Sequence, residues 1–296
     1  MAKYYNGVHY TLDEVNHQVI LMDKFQEQLL GTNKFLKFKK LGGSSISNIL
    51  TPDRFNSEFK AFCHIARLAL PVLQKKYVYA GQILEPKIID NLQEFYTKKL
   101  LKSTIIKHIE AKDVDYDYFK NLYIIGGVPD ALAENEKIVF EIKTTNIKNY
   151  DSWTLNGQAN KLKKDGVPLG YKKQAQLYAS LLGYDSYIIV GCFLNDDDYD
   201  KPENVDVSKR KIEAFHYSLK NNLDLQMQIK DDIQKIIEFH KRYSVLKEKK
   251  SPKYDLIHDK DQVDYLRCKN ETERRELFDK WKEMGKIDND FPFESF

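Results

Sequence analysis

The sequence predicts an α/β or α+β protein: a small sheet flanked by helices, with a charged helical element appended after it. Three observations carry that expectation. Five short stretches are rich in β-branched and aromatic residues, at about 103–109, 122–133, 137–145, 186–194 and 211–219. Stretches with helical spacing precede and interrupt them, at about 11–30, 55–70, 84–101 and 169–183, which excludes an all-α or all-β chain. After residue 220 strand signals stop, and a long helix is expected at about 222–247, with Leu225, Ile229, Ile233, Ile236 and Tyr243 on one face. The expected division is a body over residues 1–220 and a helical extension over 221–296.

Taken in order, "TLDEVNHQVILMDKFQEQLL" (11–30) has helical spacing, with Thr11 as its cap and Gly31 as its stop. "GGSSISNIL" (42–50) reads as a glycine turn entering a short helix. In the helix near 84–101, Pro86 is tolerated by a place in the first turn. A hydrophobic share of 42% with 31% charged residues describes a soluble globular chain rather than a disordered one. The net charge of +3 names no polyanionic partner, so any such argument rests on distribution. Lys34, Lys37, Lys39 and Lys40 stand in a stretch without acids, 240–253 is also basic, and 195–206 is strongly acidic. Cys63, Cys192 and Cys268 are widely separated, so by themselves they build neither a zinc nor an iron–sulfur site. No signal-peptide core opens the chain, and the longest apolar run (187–194) is too short for a bilayer, so a cytoplasmic location without a membrane partner is expected.

The stretch "IIGGVPDALAENEKIVFEIKTT" (124–145) carries the chemistry. Strand alternation puts Val139, Glu141, Lys143 and Thr145 on one face and Ile138, Phe140, Ile142 and Thr144 on the other. A reversal at Asn135 and Glu136 pairs residues whose numbers sum to 271, which sets Asp130 opposite Glu141. Opposed like charges about 5 Å apart destabilise a sheet unless something positive lies between them. A divalent cation held by both carboxylates and the carbonyl of Ile142 meets that need, with Lys143 beside its water. An ordinary solvent-facing hairpin remains the competing reading of this motif. Upstream, Glu85 shares a helix stripe with Ile89, Leu92 and Tyr96, where an unpaired acid is costly and a metal is one partner. A first-turn acid favoured by the helix dipole is the other reading of Glu85. Downstream, Gln174 and Tyr178 share a helix face with Leu181, flanked by Lys172 and Lys173, at a site edge or in a satisfied core.

The order of these residues resembles the PD-(D/E)XK nuclease superfamily: a helix with Glu85, then Pro129-Asp130, then Glu141-Ile142-Lys143, then Gln174 and Tyr178. Within it, "LGGSSISNIL" (41–50) and "GQILEP" (81–86) look most like the YqaJ-type viral recombinases, the phage lambda exonuclease branch. The resemblance spans residues 41–194 and implies a restriction-endonuclease-like core with a small mixed sheet. It further implies a Mg²⁺- or Mn²⁺-dependent 5′-to-3′ exonuclease on linear duplex DNA ends, a homotrimeric ring, and a single-strand annealing partner in recombination. Asp130 and Glu141 would hold metal, Lys143 would orient or activate water, Glu85 would support the metal through water, and Gln174 would belong to the accessory helix. Ser44 would lie in a 5′-phosphate pocket, with Lys40, Lys172, Lys173 and Tyr178 along the DNA. "SSIS" departs from the usual Ser-Asp start, the segment 146–169 is long, and the tail after 220 has no counterpart. Two other readings stand beside this one: a RecB-like single-strand or flap nuclease of repair or CRISPR adaptation, and a non-catalytic DNA-binding protein on a nuclease fold.

Overall fold

The structure, a computed structural model, describes residues 3–99, 103–159 and 164–296. Its helices and strands run β1 (Tyr10–Asp13), β2 (Gln18–Leu21), α1 (Asp23–Leu30), α2 (Ser47–Leu50), α3 (Glu58–Ile65), α4 (Lys75–Glu94), β3 (Lys107–His108), β4 (Ala131–Ala133), β5 (Ile138–Asn146), α5 (Tyr150–Thr154), α6 (Leu169–Leu182), β6 (Ser186–Leu194), β7 (Lys211–Ser218), α7 (Leu223–Ser244), α8 (Lys260–Arg267) and α9 (Glu271–Glu283). The chain forms two compact units, one of Met1–Lys75, Asn121–Gly126 and Gln234–Phe296, the other of Lys76–Lys120 and Gly127–Ile233. They do not divide at residue 220. The tail completes a unit begun by the first 75 residues, because its backbone bonds to the N-terminal hairpin.

The sheet unit holds five strands in the order β3-β4-β5-β6-β7. β5 and β6 are parallel and every other neighbouring pair is antiparallel, so the sheet is mixed, as expected. Phe140 and Ile142 of β5 and Ile188, Val190, Cys192 and Leu194 of β6 form an apolar layer with Leu84, Ile88, Ile89 and Leu92 of α4. Strand alternation sends Val139 and Glu141 to the opposite face, and they too are fully buried. Helix α6 ends at Gly183, whose φ of +67° suits a residue without a Cβ. Helix α4 starts well before residue 84, so Pro86 lies inside it rather than in its first turn, and lacks the N–H that would reach back one turn.

The other unit corrects the first half of the expected helix over 11–30, while Asp23–Leu30 is helical and Gly31 follows it as the stop. Residues 10–21 form the β1-β2 hairpin, with Tyr10 paired to Leu21 and Asp13 to Gln18. The reason is a period-2 pattern, Tyr10, Leu12, Val19 and Leu21 all buried, around a turn in which Asp13 accepts from the amides of Val15 and Asn16. Val19 N–H donates to Ser251 Oγ at 2.8 Å, and Tyr10 Oη donates to the Leu266 carbonyl at 2.9 Å. Phe278, Trp281, Phe291, Phe293 and Phe296 form a second apolar cluster. Among the described residues no helix is long and apolar enough to cross a membrane.

Candidate active site

β4 and β5 pair Ala131 with Phe140, Leu132 with Val139 and Ala133 with Ile138, the expected sum of 271, and the Glu134–Lys137 turn closes with a 3.3 Å amide bond. Asp130 stands one residue before β4, where Pro129 has no N–H to continue the ladder. Its carboxylate is tied to the partner strand instead, Oδ2 accepting the Ile142 N–H at 2.6 Å. The loop that delivers it depends on Gly127, at φ +124°, because a Cβ there would lie 2.1 Å from the Tyr178 hydroxyl.

Lys143 shares the face of Glu141, as two residues of one strand two apart must. Its ammonium donates to Glu141 Oε1 and lies 3.7 Å from Asp130 Oδ2. The positive charge that the acid pair needs is therefore supplied by the chain's own lysine. Gln174 of α6 donates from Nε2 to the same Glu141 oxygen at 2.5 Å, and the Tyr171 ring centre lies 5.4 Å from Lys143 Nζ. Glu141 Oε2 is buried with no hydrogen-bond partner. Burial first, then the Asp130 charge, push the Glu141 carboxyl up to about 8, against the opposing pull of Lys143. Burial acts to lower the Lys143 ammonium, but Glu141 and Asp130 outweigh it and hold the group above its ordinary range.

Glu85 finds a partner that sequence reasoning missed. His108 Nε2 lies 2.9 Å from Glu85 Oε1, the ring N–H donating to the carboxylate. Burial and then Asp130 raise the Glu85 carboxyl to about 7, and His108 pulls it back. The available signal was weak: in "STIIKHIE" (103–110) His108 alternates with Ile106, which marks a face but names no contact.

Among the described residues no three His, Cys, Asp or Glu side chains converge as a metal cluster. The donors still fit a hard cation: two carboxylates share one ammonium, and a buried carboxylate oxygen has no protein partner. Ile142 enters the site through its amide.

Two of the residues expected along DNA are withdrawn by burial. Lys173 is 5% exposed and pairs with Asp232 at 2.5 Å, and Tyr178 is fully buried against Phe119, because α6 is enclosed on every side from Lys173 to Ala179. Lys172 is held by Asp165 at 2.7 Å. Ser44 and Lys40 belong to the other unit, where the Lys40 carbonyl accepts from His64. There Ser44 is exposed on a cleft of about 890 Å³ lined also by Asn48, Arg54, Lys60, His64 and Lys286. Lys60 donates to the Phe55 carbonyl, Lys286 pairs with Asp261, and burial lowers His64 to about 4, so its ring is neutral.

No family model matches the chain. An uncharacterized protein of Mycoplasma genitalium is 28% identical over 233 residues, covering 68% of this chain and 79% of that protein. Its Mycoplasma pneumoniae homologue is 22% identical with the same coverage. Among solved structures the chain is similar to a phage-related exonuclease of Haemophilus somnus, with TM-score 0.43 and 17% identity over 70% of this chain and 96% of that one. It is also similar to the alkaline exonuclease of Laribacter hongkongensis: the dAMP complex gives TM-score 0.45 and 16% identity, covering 75% of this chain and 94% of that one. Likeness of this degree decides no activity.

Proposed function

We propose that the chain is a divalent-metal-dependent DNA nuclease whose active site is the β4-β5 hairpin. The observation that carries this reading is one constellation: Asp130 and Glu141 both paired with Lys143, Gln174 bonded to Glu141, and one buried Glu141 oxygen left over. A bound Mg²⁺ or Mn²⁺ would supply Lewis acidity toward the scissile phosphate. Asp130 and Glu141 would hold it, with the Ile142 carbonyl and, through water, Glu85. Gln174 keeps the Glu141 carboxylate in one rotamer, so the donor is in place before substrate arrives. Lys143, held protonated by its two acids, serves as a donor that orients water or stabilises developing negative charge rather than as a free base.

The finer reading is a 5′-to-3′ exonuclease on linear duplex ends, acting as a homotrimer with a single-strand annealing partner in recombination. Ser44 and its cleft support a terminal-phosphate pocket, because a hydroxyl and the exposed Arg54 offer donors to an anion. End-labelled linear, nicked, closed-circular and single-stranded DNA, digested with Mg²⁺, Mn²⁺ or EDTA, tests both levels. Metal-dependent shortening of linear duplex, faster with a 5′-phosphate and blunted in Ser44→Ala, is expected. Cutting of circles or of single strands alone moves the protein to the strand- and flap-cutting class. Binding of DNA without cleavage under any metal overturns the enzyme reading.

A further inference from the structure

The two-residue strand β3 ends in His108 and is pinned to the segment that carries Asp130. His108 pairs with Ala131, and the Ile109 N–H donates to the Asp130 carbonyl at 3.0 Å. Alternation puts His108 on the face of Ile106, and Ile106 packs into the cluster that contains Leu84 and Ile88 of α4. Helix α4 therefore presents Glu85 to a ring whose backbone moves with Asp130.

Glu85 needs such a restraint. It sits on a stripe of buried apolar residues, within electrostatic reach of Asp130 and Glu141. Repulsion among three acids favours a Glu85 rotamer turned away to solvent, and a glutamate has three torsions with which to turn. A ring N–H fixed on a paired strand opposes that escape; the side chain is only partly exposed, so solvent screens the contact incompletely.

We infer that His108 is a positioning residue, holding one Glu85 oxygen through its ring N–H so that this carboxylate does not turn away to solvent and remains available to the cation through water. The inference rests on the metal site proposed above. It adds to that site a residue, and a strand, that none of the quoted motifs contains.

Mn²⁺ alone is the probe, titrated into the full chain with free ion measured by electron paramagnetic resonance. His108→Leu should weaken Mn²⁺ binding about 10- to 100-fold, the range for loss of a group that orients a ligand. His108→Gln, which keeps an N–H donor at similar reach, should stay within about threefold of the parent. In a Glu85→Ala background, His108→Leu should add nothing, because the carboxylate it positions is gone. Affinity within threefold of the parent for His108→Leu, or fully additive losses in the double variant, overturns the assignment. If His108→Leu does not fold, His108→Asn replaces it: its shorter amide falls short of Glu85, and parity with His108→Gln overturns the assignment equally. Asp130→Asn separates the two levels. If it leaves Mn²⁺ binding intact, the metal site itself is wrong and the role of His108 falls with it.

Discussion

Cation affinity should rise steeply with pH, and Glu141 sets the slope. The carboxyl is fully buried and raised to about 8 by burial and by Asp130. A cation binds its ionised form, whose share grows as pH rises toward the raised value, so Mn²⁺ affinity should increase at least about tenfold from pH 6 to pH 8. Glu85, raised to about 7, steepens the dependence further wherever it supports the ion. Titration of the full chain with Mn²⁺ at pH 6, 7 and 8 measures the slope, and calorimetry in buffers of different ionisation heat counts the protons released. Glu141→Gln keeps an acceptor for Lys143 and Gln174 but cannot titrate, so its residual affinity should be low and nearly independent of pH. The metal-free protein offers a check of opposite sign. The folded carboxyl lies above its ordinary value of 4.5, so the folded state keeps a proton that the unfolded chain has released. Stability contributed by this group is thus full below about pH 4.5 and falls as pH rises through about 8, and Glu141→Gln should flatten that fall. Affinity that is flat from pH 6 to 8 with no proton release, or a Glu141→Gln variant that binds Mn²⁺ as the parent does, would refute the reasoning.

Lys143→Ala should cut turnover at least about 100-fold in the nuclease assay while DNA binding by filter retention holds. It should also lower the melting temperature of the metal-free chain, because Asp130 and Glu141 then face each other without a cation, and Mg²⁺ should restore much of the loss. Gly127→Ala combines a φ of +124° with a Cβ 2.1 Å from the Tyr178 hydroxyl, so denaturant unfolding should show a loss of more than about 2 kcal/mol, partly relieved by Tyr178→Phe. Lys173→Ala, which strands Asp232 in the interior, should cost about 3–5 kcal/mol of stability, and whatever remains folded should bind DNA with unchanged salt dependence.

The hairpin was legible because its logic is local. Alternation in "KIVFEIKTT" assigns Glu141 and Lys143 to one face whatever the rest of the chain does, and the length of the Glu134–Lys137 reversal sets the register. The same local rule misled at residues 11–21, where apolar positions satisfy helical and strand spacing alike and the pairing of Tyr10–Asp13 with Gln18–Leu21, backed by Lys249 and Ser251 from far along the chain, decides for strands.

Spacing assigns a residue to a face; it does not say which faces are covered. The helix with Tyr178, flanked by Lys173, reads as a site edge or a satisfied core alike until Phe119 and Asp232 are packed against it. Nor can spacing show that the ammonium between the two acids is that of Lys143, or that Glu85 meets His108, 23 residues further along the chain. Likewise, the joining of the last 63 residues to the first 75 in one unit comes with backbone bonds between segments more than 200 residues apart, Leu21 N–H to the Lys249 carbonyl and Ser251 N–H to the Val19 carbonyl. What the sequence determined by itself is the set of chemical groups and their order along each element. Which of them meet was decided by tertiary packing, because burial and electrostatic partnership depend on atoms that the local chain does not contain.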